Sequence, residues 1–165
     1  MSRRRVALLA CLACLACLAG LALAAAAPEP PLELVGLDGR AVALGLAPDE
    51  HALVVHFFAT WCPSCGEEIP TLQGAATACR GRGVRVVAVD VGEATDVVAR
   101  YRREHGIELP VLLDPRGRAF RHLGLRGLPA NRIVTPEGAR TLEGPSTASA
   151  WRERLRALGC AEPAP

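Results

Sequence analysis

Phe57-Phe58-Ala59-Thr60-Trp61-Cys62-Pro63-Ser64-Cys65-Gly66-Glu67-Glu68-Ile69-Pro70 sets a Cys-x-x-Cys pair where an apolar run gives way to a helix. The preceding residues Ala52 to Ala59 are almost all apolar, which predicts a buried strand. Pro63 suits the first helical turn, where its missing N–H costs no intrahelical bond. Cys62 is therefore expected at a helix N-terminus. Unpaired backbone N–H groups and the positive end of the macrodipole favour a thiolate there, making Cys62 the attacking sulfur. Cys65, one turn deeper, is placed to resolve the bond that Cys62 forms.

On the N-terminal side, Ser2-Arg3-Arg4-Arg5 precedes 22 apolar residues, Val6 to Ala27, followed by Pro28-Glu29-Pro30-Pro31. A basic start, a long apolar stretch and terminal alanines make residues 1–27 an export segment. Two outcomes are open: cleavage after Ala26 or Ala27, or retention as an uncleaved membrane anchor with Arg3 to Arg5 inside. Leu8-Leu9-Ala10-Cys11 loosely matches a lipoprotein cleavage box, but only about five apolar residues precede Cys11, short for an export signal. Cys11, Cys14 and Cys17 otherwise read as apolar filler. The remaining 28–165 make one domain, with 16 Arg against 17 acidic residues and no Lys. Near-neutral charge and the lack of a basic run with interleaved aromatics give no footprint for nucleic acid. An extracytoplasmic destination, periplasmic or attached to the inner membrane, permits disulfides among Cys62, Cys65, Cys79 and Cys160.

Leu32–Val35 and Ala41–Leu44 flank an Asp38-Gly39 turn and predict a hairpin. A helix follows the Cys pair to about Cys79, with Pro70 inside it and Gly81 and Gly83 ending it. Val84–Asp90 reads as a second central strand, and 94–105 as a helix with Glu93 or Thr95 near its start. A short strand over Pro110–Pro115 running into a turn, a short helix over Arg118–Leu123, a hairpin over 130–143 and an amphipathic helix over Ser149–Leu158 complete the chain. Strands alternating with helices predict an α/β fold with a mixed central sheet flanked by helices.

Taken together, Asp38-Gly39-Arg40, the Phe57–Cys65 stretch, Glu68-x-Pro70, Val84–Asp90, Pro110–Asp114, Gly127-Leu128-Pro129 and Thr135–Gly138 resemble the thioredoxin superfamily. The resemblance narrows to the TlpA/ResA/CcmG-like extracytoplasmic thiol-disulfide oxidoreductases and covers nearly all of 32–158. It implies a thioredoxin-like fold with an N-terminal β-hairpin extension. It also implies that Pro129 is the cis-proline beside the cysteines, with Leu128 pairing to the substrate backbone. Glu68 matches an acid implicated in proton handling and substrate selection; an exposed first-turn acid favoured by the helix dipole is the competing reading. Trp61 matches the aromatic that shields the first cysteine, though surface packing explains it equally. His56 departs from the Asp or Asn of related chains, and two readings stand: a neutral core imidazole or a proton relay to Cys65. Cys79 and Cys160, at the ends of the first and last helices and both peripheral in such a fold, are expected to pair as a structural disulfide, with two separate, partly buried thiols as the competing reading.

The resemblance further implies reduction of protein disulfides, with apocytochrome c before haem attachment as the leading substrate and a membrane electron donor of the DsbD/CcdA type. No cofactor is implied. A dithiol oxidase or isomerase of the same fold is the first alternative. A copper or other metal chaperone is the second, disfavoured because Cys62 and Cys65 are spaced by two residues and Cys79 and Cys160 are single. A peroxidatic cysteine would want Thr three residues earlier, where Ala59 stands.

Overall fold

The computed structural model describes residues 30–160, so the export segment expected at 1–27 lies outside the described residues. Seven strands form one sheet: β1 (Leu32–Gly36), β2 (Ala41–Leu44), β3 (Ala52–Phe58), β4 (Val84–Val91), β5 (Val111–Asp114), β6 (Ala130–Thr135) and β7 (Gly138–Glu143). Their spatial order is β2-β1-β5-β4-β3-β6-β7. β3, β4 and β5 run parallel, and the other pairings are antiparallel. The helices are α1 (Pro63–Ala78), α2 (Thr95–Glu104), α3 (Arg118–His122) and α4 (Ala148–Ala157). The N-terminal hairpin is annexed to the sheet edge through β1 and β5. Its turn is closed by Gly39 at φ +81°, with the Asp38 carboxylate accepting the Arg40 N–H.

β3 is central and buried at every residue, which explains its continuous apolar run. Because side chains alternate across a sheet, Val54, His56 and Phe58 face one layer, and Leu53, Val55 and Phe57 the other. The first layer is filled by Ile69 and Leu72 of α1, Val98 of α2, and Trp151 and Leu155 of α4. The second takes Ala119 of α3 and Leu34 of the hairpin. His56 thus lies on the α1 side of the sheet by strand parity alone.

The α2 helix falls where the sequence expects it, with Ala94 and His105 as its caps and Glu93 just ahead of it, its carboxylate engaged by Thr60. One detail differs from the sequence expectation. Cys79 and Cys160 lie at element ends but are buried rather than peripheral. They are joined as a disulfide with a Cα–Cα distance of 4.6 Å, across a sequence separation of 81. Among the described residues no helix is long and apolar enough to cross a membrane.

Candidate active site

β3 ends at Phe58, and the chain makes a turn in which Cys62 N–H donates to the Ala59 carbonyl at 3.1 Å. Cys62 is the N-cap of α1, with extended φ/ψ of −99°/99° and Pro63 following in the first turn. Its carbonyl accepts from Cys65 N–H and Gly66 N–H at 3.2 and 3.3 Å. A disulfide joins Cys62 to Cys65, whose Cα atoms are 5.3 Å apart. Ser64 Oγ lies 3.7 Å from the Cys62 sulfur. Both cysteines are buried, Cys65 fully and Cys62 nearly so, whereas Trp61 beside them is 68% exposed. The loop before β6 supplies a cis Leu128–Pro129 bond. Leu128 is partly buried and packs against both layers of the core.

A buried polar group lies on the same side of the sheet. β3 and β6 place His56 opposite Asn131, and His56 Nδ1 is 2.8 Å from Asn131 Oδ1. Asn131 Nδ2 donates to Glu68 Oε2 at 3.0 Å. Trp151 Nε1 donates to the same oxygen at 2.9 Å, and the Ser146 N–H donates to Glu68 Oε1 at 2.7 Å. This arrangement turns the amide oxygen of Asn131 toward His56, so His56 Nδ1 carries the donated proton. In the neutral ring Nε2 is then a bare lone pair, and it meets no hydrogen-bond partner. Burial holds the His56 pKa below the ordinary histidine value. Its bond to Asn131, the charge of Glu68 and the Cys65 backbone all favour the charged form, without overcoming burial. Glu68 Oε2 is 3.9 Å from His56 Nδ1.

Glu68 is 3% exposed, so the reading of it as a solvent-facing first-turn acid fails: its carboxylate is held in the interior by Asn131 of β6, Trp151 of α4 and the Ser146 backbone. Trp61 stands largely in solvent beside the cysteine pair. Cys62, Cys65, Glu68 and His56 gather around the start of α1. Cys79 and Cys160 stand at its other end. Asn131, Trp151 and Ser146 as partners of Glu68 were missed by the sequence reading. A lone Asn at an inward strand position was the available signal for the first. Nothing in the sequence marks a backbone N–H such as that of Ser146.

The arrangement can exchange disulfides: a sulfur at a helix N-terminus, a buried partner sulfur one turn on, and an exposed aromatic at the rim. Thiol-disulfide oxidoreductase ResA of Bacillus subtilis (strain 168) is 30% identical over 107 residues, covering 65% of this chain and 54% of that protein. Sporulation thiol-disulfide oxidoreductase A of the same organism is 26% identical over 105 residues, covering 61% of this chain and 64% of the relative. The chain thus spans just over half the length of ResA. Among solved structures, a thiol:disulfide interchange protein of the thioredoxin family from Chlorobium tepidum TLS superposes with a TM-score of 0.67. It is 28% identical, and the match covers 83% of this chain and 99% of that one. These likenesses agree with the thioredoxin-like fold and with the ResA-like resemblance of the sequence. The sequence profile of the AhpC/TSA family matches residues 25–139, from ahead of the hairpin into the start of β7, and the chain belongs to that family.

Proposed function

We propose that this chain is a thiol-disulfide oxidoreductase that reduces protein disulfides outside the cytoplasm. The observation that carries the reading is Cys62 at the N-cap of α1, bonded to buried Cys65 and flanked by exposed Trp61. In the reduced protein, the Cys62 thiolate attacks one sulfur of a partner disulfide and expels the other as a thiolate. Cys65 then gives up its proton and attacks the Cys62 sulfur. The second partner sulfur leaves, and two electrons have passed from the pair to the partner. Trp61, Leu128 and Pro129 form the docking edge for the partner backbone. His56 and Glu68 handle the Cys65 proton: the bare Nε2 of His56 is the base, and Glu68 offsets the charge that the ring acquires. Ala59 in place of Thr three residues before Cys62 argues against a peroxidatic cysteine.

The finer reading takes residues 1–27 as the export signal or anchor and 28–165 as the working domain. It takes an apocytochrome c disulfide as substrate and a DsbD/CcdA-type membrane protein as electron donor. The test is the equilibrium reduction potential of Cys62–Cys65, read by alkylation across a dithiothreitol series. A value near or below about −230 mV supports a dedicated reductant; one of about −120 to −180 mV assigns the chain to oxidation or isomerisation instead. A Cys65→Ser variant is expected to accumulate the mixed disulfide with its partner, and Cys62→Ser to form none.

A further inference from the structure

The turn that presents Cys62 is held from the β4 flank of β3, away from the His56–Asn131–Glu68 group. Thr60 N–H donates to Glu93 Oε2 at 2.5 Å, and Thr60 Oγ1 donates to Glu93 Oε1 at 2.7 Å. One carboxylate thus takes both donors of a residue two positions before Cys62. Glu93 is itself fixed. Gly92, at φ +89°, turns the chain sharply after β4, and its N–H donates to the Asp114 carbonyl at 3.0 Å. The Glu93 N–H donates to Asp90 Oδ1 at 3.2 Å.

Asp90 is wholly buried at the end of β4, and its Oδ2 meets no donor. A proton on Asp90 resolves both facts, because the carboxyl then hydrogen-bonds the Glu93 carboxylate. Burial, then the neighbouring Glu93 and Asp114, raise the Asp90 pKa to about 8. Burial opposes ionisation of Glu93 too, but the bonds from Asp90 and Thr60 prevail and hold its carboxyl below the ordinary value. Asp114 of β5 and Tyr101 of α2 are the other titratable groups facing this pair.

Glu93 therefore does not serve the helix it precedes. We infer that Glu93, braced by the Asp90 carboxyl, is a positioning residue that grips Thr60 and so sets where Trp61 and the Cys62 sulfur stand when a partner disulfide approaches. The inference rests on the disulfide-exchange reading. It adds no chemical step; it fixes the approach geometry, to which an in-line sulfur displacement is sensitive. A misplacement of 1 Å costs on the order of a hundredfold in rate. Trp61 is largely exposed, so its placement depends on the backbone that Glu93 holds.

The test measures the rate at which the reduced full chain exchanges with insulin disulfides, with iodoacetamide alkylation of Cys62 giving the thiolate fraction at each pH. Thr60→Val and Glu93→Gln are each expected to slow exchange about tenfold at equal thiolate fraction. The double variant should be no slower than either alone, and Thr60→Ser should keep the wild-type rate. Between pH 7 and 9 the wild-type rate per thiolate should fall as Asp90 ionises. Asp90→Asn, whose amide donates as the protonated acid does, should hold it level. Wild-type rates in Thr60→Val, or multiplying losses in the double variant, overturn the inference; the Thr60 variants decide it even if Glu93→Gln does not fold. A wild-type chain that exchanges no disulfide overturns the underlying reading instead.

Discussion

Glu68 shows what a single buried side chain demands of its surroundings. Its two oxygens accept three donors, from Asn131, Trp151 and the Ser146 backbone. A Gln at this position presents its NH₂ group to at least one of those donors, whichever way the amide turns. Glu68→Gln is therefore expected to lower stability by about 1–3 kcal/mol in urea denaturation of the oxidised protein, the cost of leaving buried donors unmet. An unchanged midpoint would show that the three bonds are not held in solution. The position of Glu68 was legible three residues after Cys65, but its burial was not. Its partners lie 63, 78 and 83 residues further on, and no local pattern links them. The same holds for Thr60 and Glu93, where a helix-start residue proved to serve a turn 33 residues earlier.

At the scale of elements, α1 is secured at both ends. Its start is tied to β6 and α4 through Glu68, and Cys79 at its end is bonded to Cys160 beyond α4. Removing the second tie with Cys79→Ala and Cys160→Ala together is expected to destabilise the oxidised protein by about 2–4 kcal/mol, as for disulfides that close long loops. Denaturant titration of the oxidised double variant measures the loss. Intact mass with and without reduction and alkylation should show two reducible bonds per chain; a single bond would refute the Cys79–Cys160 link. Most elements were legible from hydrophobic period and turn residues, because β3 and β4 are buried on both faces and the hairpins carry Gly or Pro-Glu-Gly turns. The role of Glu93 was not, since its place just ahead of α2 gives no sign of Thr60 across the loop.

Across the whole molecule, two buried titrating groups set opposing pH slopes. Asp90 keeps its proton up to about pH 8 in the folded chain and has a pKa of 3.8 when unperturbed. Between those values the folded state binds the extra proton, so stability falls as pH rises and levels off above about 8. His56 is displaced downward from 6.5 by burial. The unfolded chain takes up a proton below that pH while the folded chain does not, so stability falls as pH drops through 6.5. Urea denaturation at pH 5, 6.5 and 8.5 should show Asp90→Asn gaining on the wild type at each step upward. Parallel curves would show that Asp90 ionises normally in the fold.

The anchoring of Glu68 also has a consequence for the order of synthesis. Two of its three donors, Ser146 N–H and Trp151 Nε1, belong to the last stretch of the described chain. A nascent chain emerging N-terminus first therefore exposes its Cys-x-x-Cys pair long before the carboxylate beside it is fully coordinated. The thiol pair therefore emerges before two of the three donors that fix the neighbouring carboxylate, and the buried hydrogen bonds beside it close only once Trp151 has been made.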